Sequence, residues 1–140
     1  MEAPTPRGIR NNNPLNIRKG NNWQGERHPQ KDKDFEEFEN LEMGLRAGFI
    51  ILRHYMNMHP PVNTVRTIIQ RWAPASENDT ERYADFVCKK AILSPDTPIK
   101  FSEKNVVCRL IWAMCWMECG CTLSFGRVEN AYAMACRSRS

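Results

Sequence analysis

The chain has 140 residues, of which 41% are hydrophobic and 26% charged, and its formal net charge at pH 7 is +4. This length fits one domain with enough apolar residues to bury one core, which argues against an intrinsically disordered chain. The modest positive charge is compatible with an anionic polymer as a partner but does not select one.

The first six residues, Met1–Pro6, lack the basic start and the apolar run of a secretory signal peptide, so we expect synthesis in the cytoplasm without such a signal. The most apolar stretch, Val106–Met117, is interrupted by Arg109 and is shorter than the about 20 residues that span a bilayer. We therefore expect no membrane span. One domain should cover residues 1–140, with flexible ends at 1–6 and 138–140.

The segment Arg7–Gln30 is rich in Asn, Gly and Pro, which is typical of turns and loops. Short apolar interruptions such as Leu15 and Ile17 are compatible with one short hairpin. A brief strand is expected over Asp34–Phe38. The sequence thus predicts a small β-hairpin or loop region near the N-terminus.

Basic residues surround this Asn-rich segment and raise the question of nucleic-acid binding. They are Arg7, Arg10, Arg18 and Lys19. No zinc-finger spacing, basic zipper or aromatic RNA-binding motif accompanies them. Nucleic acid is therefore not the partner that we expect.

The clearest predicted helix follows Asn40, a good N-cap, and runs to about Met58. Apolar residues recur in it at spacings of three and four, the pattern of a helix with one face turned to a core. These residues are Leu41, Leu45, Phe49, Leu52 and Met56.

Two further helices are predicted in the middle of the chain. One begins after Asn63 and stops before Pro74, because the residue before a proline disfavours the helical conformation. The next begins near Asp79 or Thr80 and ends before a linker marked by Pro95.

The most apolar helix follows Ser102, a suitable N-cap, and ends at Gly120. Because it is apolar nearly all round, we expect it at the centre of the fold. A last helix should run from about Arg127 to Arg137. The predicted fold class is mainly α.

The chain carries six cysteines, namely Cys88, Cys108, Cys115, Cys119, Cys121 and Cys136. Without an export signal, and with enough core to fold without cross-links, mostly reduced and buried thiols are expected. The group at 115, 119 and 121 suggests zinc, which thiolates bind well, but paired Cys-x-x-Cys knuckles are absent. We expect no metal and no cofactor.

One carboxylate stands out because of its apolar surroundings. Glu118 lies at the end of the most apolar helix, after Trp116 and Met117 and before Cys119. Desolvation disfavours its charged form and the negative end of the helix dipole repels it, so both effects raise its pKa. A carboxylic acid kept protonated beside a cleft can protonate the departing oxygen of a glycosidic bond. The alternative is a solvated Glu118, or one paired with an arginine such as Arg109.

Three stretches resemble phage virion-associated lysins and their prophage relatives, which are structural lysozyme-like proteins. They read RGIRNNNPLNIR at 7–18 with WQG at 23–25, FENLEMGLRA at 38–47, and NTV through RWAP to ENDT over 63–80. In that family the first run usually reads Asn-Pro-Gly-Asn-Ile, so Leu15 stands where a glycine is usual. The resemblance implies a lysozyme-like helical domain.

The stretch AMCWMECG at 113–120 resembles the helix end where these proteins place a glutamate. It is also similar to the Glu-Ser-Gly of soluble lytic transglycosylases, whose helix-borne glutamate is the acid. In those enzymes the acid helix precedes the loop with the Asn-Ile-like segment. The resemblance thus implies lysozyme-like elements in circularly permuted order, which is tolerable where chain ends lie close together at the surface.

The resemblance further implies a peptidoglycan-degrading enzyme of phage or prophage origin that uses Glu118 as general acid and then base. It would act on glycan strands at the cell wall or within a phage particle, beside other particle proteins. With no evident second carboxylate, a lytic transglycosylase-like route is favoured over a muramidase-like hydrolase. In the transglycosylase route the substrate's own hydroxyl closes an anhydro ring, so a second carboxylate is not needed. Glu26, Asp32 and Asp34 are the loop acids that a hydrolase could use; solvated surface positions are the alternative.

Candidates for binding the glycan lie in the Asn-rich segment Arg7–Gln30, which we call the N-terminal loop. They are Asn13, Asn16, Arg18, Trp23 and Gln24. Amides hydrogen-bond sugar hydroxyls, and an indole covers a sugar face. Alternatively, the asparagines fix turns and the tryptophan belongs to the core. Trp72 and Pro74, with Ser76, Glu77 and Asn78, would border the far side of the groove or merely end one helix and cap the next.

Two other function classes stay open. One is a non-catalytic virion structural or cell-wall-binding protein with the same fold. It is favoured because Trp116 or Met117 and Cys119 replace the polar residues that flank the glutamate in the resembling lysins. A peptidoglycan peptidase is the third class, because related phage lysins have been described as cleaving peptide cross-links. No metal triad or Cys-His pair supports it, and His28, His54 and His59 show no metal-ligand spacing.

Overall fold

The computed structural model describes residues 5–75 and 79–138. This part of the chain forms six helices and no β-strand, which confirms the mainly α fold class. The helices are α1 (Arg7–Arg10), α2 (Leu41–Met56), α3 (Val65–Trp72), α4 (Thr80–Ala91), α5 (Lys104–Cys119) and α6 (Phe125–Arg137). The segment Ser76–Asn78, expected beside the groove, lies outside the described residues, as do 1–4 and 139–140 of the expected flexible ends.

Most helix ends follow the predicted caps. Asn40 and Asp79 each accept a hydrogen bond from a backbone N–H in the first turn of α2 and α4. Gly120 ends α5 in the left-handed conformation, as predicted. The prediction of Ser102 as the cap of α5 is wrong. The N-cap is Glu103, whose carboxylate instead accepts from the backbone N–H of Lys100 at 2.8 Å.

Helix α5 is the central helix of the described part. It packs against α4 and α6 and also contacts α1 and α2. Its residues Val107, Leu110, Ile111 and Met114 are fully shielded from solvent, as expected for a helix that is apolar nearly all round. None of the described helices is long and apolar enough to cross a membrane.

The N-terminal loop packs on two glycines of α2, Gly44 and Gly48, which we call the glycine face. A Cβ atom at Gly44 would lie 2.0 Å from the carbonyl oxygen of Asn12, and one at Gly48 would lie 2.2 Å from Cδ1 of Leu15. Leu15 is fully buried. Leu15 therefore fills space that Gly48 leaves open.

The loop region contains little regular structure. In the described residues β pairing is limited to two isolated bridges, Arg18 with Phe35 and Glu26 with Phe38. The strand expected over Asp34–Phe38 does not form, because side chains bind backbone groups that a strand would use. Asn13 donates to the carbonyl of Glu36 at 2.9 Å, and Gln30 accepts from the N–H of Glu37 at 3.0 Å.

Candidate active site

The carboxylate of Glu118 is bound by side chains from other parts of the chain. Tyr83 of α4 donates its hydroxyl hydrogen to Oε2 at 2.8 Å. Asn16 of the N-terminal loop donates Nδ2 to Oε1 at 3.1 Å. Arg109, considered above as a partner, instead donates to Asn105 at 2.8 Å and to carbonyls at the end of α4. Glu118 is thus held by neutral donors.

Burial raises the pKa of Glu118 above its ordinary value, the direction expected from its apolar neighbours. Hydrogen bonds from Tyr83, Asn16 and Trp72, and the positive charge of Arg18, act in the opposite direction because they favour the ionised form. Burial is the largest effect and decides the direction. The protonated form of Glu118 therefore persists to higher pH than that of an exposed glutamate.

Tyr83 was not among the residues predicted for the site. It is buried, and both this burial and the charge of Glu118 raise its pKa well above the ordinary value. Its hydroxyl therefore stays protonated and remains a donor to Glu118. The sequence signal for this role is weak, because a tyrosine on an apolar stripe is normally a core residue.

Asn16 adopts a left-handed backbone conformation with φ of 53°, which asparagine tolerates better than most residues. Its N–H donates to the carbonyl of Asn13 at 3.0 Å, which closes a turn. Its Oδ1 atom is buried without a hydrogen-bond partner among residues 5–75 and 79–138. The amide thus binds Glu118 through its nitrogen, while its oxygen is shielded from solvent beside Gly8.

A groove of about 990 Å³ opens beside Glu118, and we call it the Glu118 groove. The N-terminal loop lines one side with Asn16, Arg18, Trp23 and Gln24, four of the five residues predicted to contact a glycan. Residues of α2 and α3 also line it, including Ile50, His54, Tyr55 and Trp72. The structure therefore brings the acid and most of the candidate binding residues to one concave surface.

Asn13 is the predicted binding residue that the structure does not bring to the groove. It is fully buried, and its Nδ2 donates to the carbonyl oxygens of Ile17 and Glu36 at 3.0 and 2.9 Å. Its Oδ1 accepts from the N–H of Ile17 at 3.0 Å. These bonds occupy the amide, so Asn13 fixes the loop, which is the alternative considered for it above.

The loop acids lie away from the groove lining. Asp32 is not a solvated acid, because its side chain is 5% exposed and pairs with the guanidinium of Arg7, which lowers the pKa of Asp32. Glu26 accepts from the backbone N–H of Trp23 at 2.8 Å and hydrogen-bonds Glu36. Within the described part of the chain, Glu118 supplies the one carboxylate that lines the groove.

Several groove residues were not identified from the sequence. Tyr55 packs edge-on against Trp72, with ring centroids 6.5 Å apart, and the Arg71 guanidinium lies over the Tyr55 ring. The periodicity of α2 marks its core face and says nothing about which of its other residues border a groove. Asn21 and Asn22 also line the groove, and their position directly before Trp23 was the available signal.

No group of three or more His, Cys, Asp or Glu side chains is arranged to hold a metal ion within residues 5–75 and 79–138. The six cysteines are free thiols. Cys108, Cys115 and Cys119 are buried as expected, whereas Cys136 is exposed.

No protein-family model matches the chain. The chain is 48% identical over 88 residues to Protein P5 of Pseudoalteromonas phage PM2. The match covers 60% of this chain and 54% of Protein P5, so it spans about half the length of that relative. The similarity supports a phage origin for the chain.

Proposed function

We propose that this chain is a lysozyme-like domain that cleaves the glycan strands of peptidoglycan, with Glu118 as the catalytic acid. The observation that carries the proposal is the position of Glu118. A carboxylate bound by Tyr83 and Asn16, with a pKa raised by burial, borders a groove of about 990 Å³. A glycosidase requires such an acid beside the oxygen that leaves.

The surroundings of Glu118 suit both halves of a transglycosylase-like reaction. Burial favours the neutral acid, which donates its proton to the glycosidic oxygen while the bond to the sugar breaks. The resulting carboxylate is stabilised by the donors Tyr83 and Asn16, and it then accepts the proton of the sugar hydroxyl that closes the anhydro ring. A hydrolase would need a second carboxylate at a defined separation, so the single described acid of the groove favours the transglycosylase route.

The glycan would lie along the N-terminal loop. The exposed amide of Gln24 suits sugar hydroxyls and acetamido groups. Trp23 and Trp72 offer indole surface to sugar faces, and Arg18 suits the carboxylates of peptidoglycan. One domain with permuted lysozyme-like elements is part of this proposal, because the loop comes first in the chain and the acid-bearing helix follows it.

Digestion of purified peptidoglycan sacculi tests the proposal. The wild type should release anhydro-muropeptides, identified by mass spectrometry, and Glu118→Gln should lower their rate of release by about 100- to 10,000-fold. Glu39→Gln, which neutralises an exposed acid outside the groove lining, is the matched control and should keep wild-type activity. Products with reducing ends would indicate a hydrolase and freed peptides a peptidase. Equal activity of Glu118→Gln and wild type would refute the role of Glu118.

The second candidate is a non-catalytic phage particle protein that binds the cell wall through the same groove. The similarity to a phage protein favours it, as do Trp116, Met117 and Cys119, which stand where the resembling lysins have polar neighbours of the acid. On this proposal sacculi bind the protein but release no soluble products. Binding would then survive Glu118→Gln and weaken in Trp23→Ala.

A further inference from the structure

The end of α5 brings two thiols into contact. Cys119 is the last residue of the helix and Cys121 follows the left-handed Gly120. Their Sγ atoms are 3.4 Å apart. Cys119 is buried, whereas Cys121 is partly exposed. A small oxidant can therefore reach one thiol, and the second lies within contact distance of the first.

The backbone between these cysteines can adjust to bring the sulfurs together. A disulfide needs a sulfur separation of about 2 Å, so the two Sγ atoms must approach each other by about 1.4 Å. Gly120 has φ of 75°, and no other group lies within 4 Å of the place where its Cβ would be. The space beside Gly120 is thus open to a small change in its backbone angles.

We propose that Cys119 and Cys121 form a reversible disulfide when the protein meets a disulfide oxidant such as oxidised glutathione. The proposal does not rest on the proposed cleavage of glycan. The Cys121 thiolate attacks the oxidant, forming a mixed disulfide and expelling one thiolate. Cys119 then attacks the sulfur of Cys121 and expels the second thiolate. Two protein thiols are oxidised, the oxidant is reduced to two thiols, and the two protons of the cysteines pass to the expelled thiolates.

The order of attack follows from exposure. Burial raises the pKa of Cys119 to about 11, so its thiol is poorly ionised at neutral pH and is shielded from the oxidant. The cross-link closes a very short loop and removes little entropy from the unfolded chain, so it adds little stability. Strained or exposed disulfides are the readily reduced ones, and we expect reduced glutathione to reverse this bond.

Thiol trapping tests the proposal on the full chain. The protein is incubated with oxidised glutathione, quenched with acid, unfolded and alkylated, and its intact mass is measured. We expect loss of two alkylatable thiols, seen as a mass lower by two alkyl groups than that of the reduced and fully alkylated protein. Fragmentation of the tryptic peptide Leu110–Arg127 should show Cys115 alkylated and Cys119 linked to Cys121. Added reduced glutathione should restore both thiols.

Two variants make the assignment specific. Cys121→Ser should abolish the intramolecular loss of two thiols, whereas Cys136→Ser, which removes the exposed thiol, should leave it unchanged. The proposal is overturned by a Cys115–Cys119 link, by cross-linking only between chains, or by six alkylated cysteines after oxidation of the wild type.

Discussion

Two opposing influences act on the carboxyl group of Glu118. Burial favours its neutral form, and the hydrogen bonds from Tyr83 and Asn16 favour its ionised form. An acid that must give up a proton and later take one back benefits from both, because neither form is then strongly disfavoured. The same balance makes the pH dependence of activity sensitive to each donor.

Tyr83→Phe should move the alkaline limb of the activity profile to higher pH. The variant loses a hydrogen bond that stabilises ionised Glu118, so the pKa of Glu118 rises and the acid form persists to higher pH. The measurement is kcat/KM against pH on solubilised glycan strands. Tyr132→Phe removes another tyrosine hydroxyl, one that donates to the carbonyl of Phe101, and should leave the profile in place. A shift of the limb to lower pH in Tyr83→Phe would contradict the assigned direction.

Asn16→Gly should lower activity by about 10- to 100-fold, because glycine accepts the left-handed backbone but cannot donate to Glu118. Asn12→Gly is a matched control. Asn12 has the same φ of 53°, and its amide donates to the carbonyl of Phe38 instead of to Glu118. Initial rates on sacculi compare the two variants. Equal losses in both would assign the effect to the loop backbone instead of to the donor at Glu118.

Glu118 was predicted as the acid of the site because apolar neighbours disfavour the charged form of a carboxyl group at this helix end. The resemblance to phage lysins added to that prediction. The sequence could not separate Asn13 from Asn16. Both lie in the same Asn-rich run, yet one amide is consumed by backbone groups and the other reaches Glu118. That difference depends on the left-handed turn at Asn16, which is set by how the loop packs on α2. Local composition does not contain this information.

At the scale of elements, the sequence predicted the bounds of the helices but not how the N-terminal loop packs on the glycine face of α2. Helix bounds were predictable because capping residues and apolar periodicity act over one or two turns. Helix α1 was missed, because its four residues are too short to show a period. The loop conformation was also missed. It rests on side chains such as Asn13 that bind backbone groups far along the chain.

Gly44→Ala should destabilise the fold by about 2 kcal/mol, because its Cβ would collide with the backbone oxygen of Asn12 and displace the loop. Gly126→Ala is the control in α6, where the new Cβ would meet only Ser124 Oγ at 3.7 Å. Alanine favours a helix over glycine, so this control should be neutral or stabilising by up to about 1 kcal/mol. Urea unfolding measures both. Unchanged stability in Gly44→Ala would show that the loop does not pack closely there.

For the whole molecule, one buried carboxyl pair sets a pH dependence of stability. Glu36 is 4% exposed. Its burial, followed by the nearby charge of Glu26, raises its pKa from 4.5 to about 7, against a smaller opposing effect of Lys19. Between these values the folded chain holds a proton that the unfolded chain releases. The free energy of unfolding should therefore fall as pH rises through this window and level off above it.

We expect Glu36 to contribute about 2 kcal/mol to this fall, and Glu36→Gln, which keeps a neutral side chain at all pH values, should remove that contribution. The raised pKa of Glu118 leaves a residual fall of the same sign in the variant. Urea unfolding from pH 4.5 to 8 measures the fall. Glu39→Gln, which changes an exposed acid, should retain the wild-type slope. A Glu36→Gln protein with the full wild-type slope would place the titrating group elsewhere.

The bond between Asn16 and Glu118 joins positions 102 residues apart. Translation therefore delivers Asn16 of the N-terminal loop 102 codons before Glu118. A nascent chain that has released only α1 to α4 carries much of the groove wall but not Glu118. If the chain cleaves glycan as proposed, that cleavage can begin only after α5 has left the ribosome.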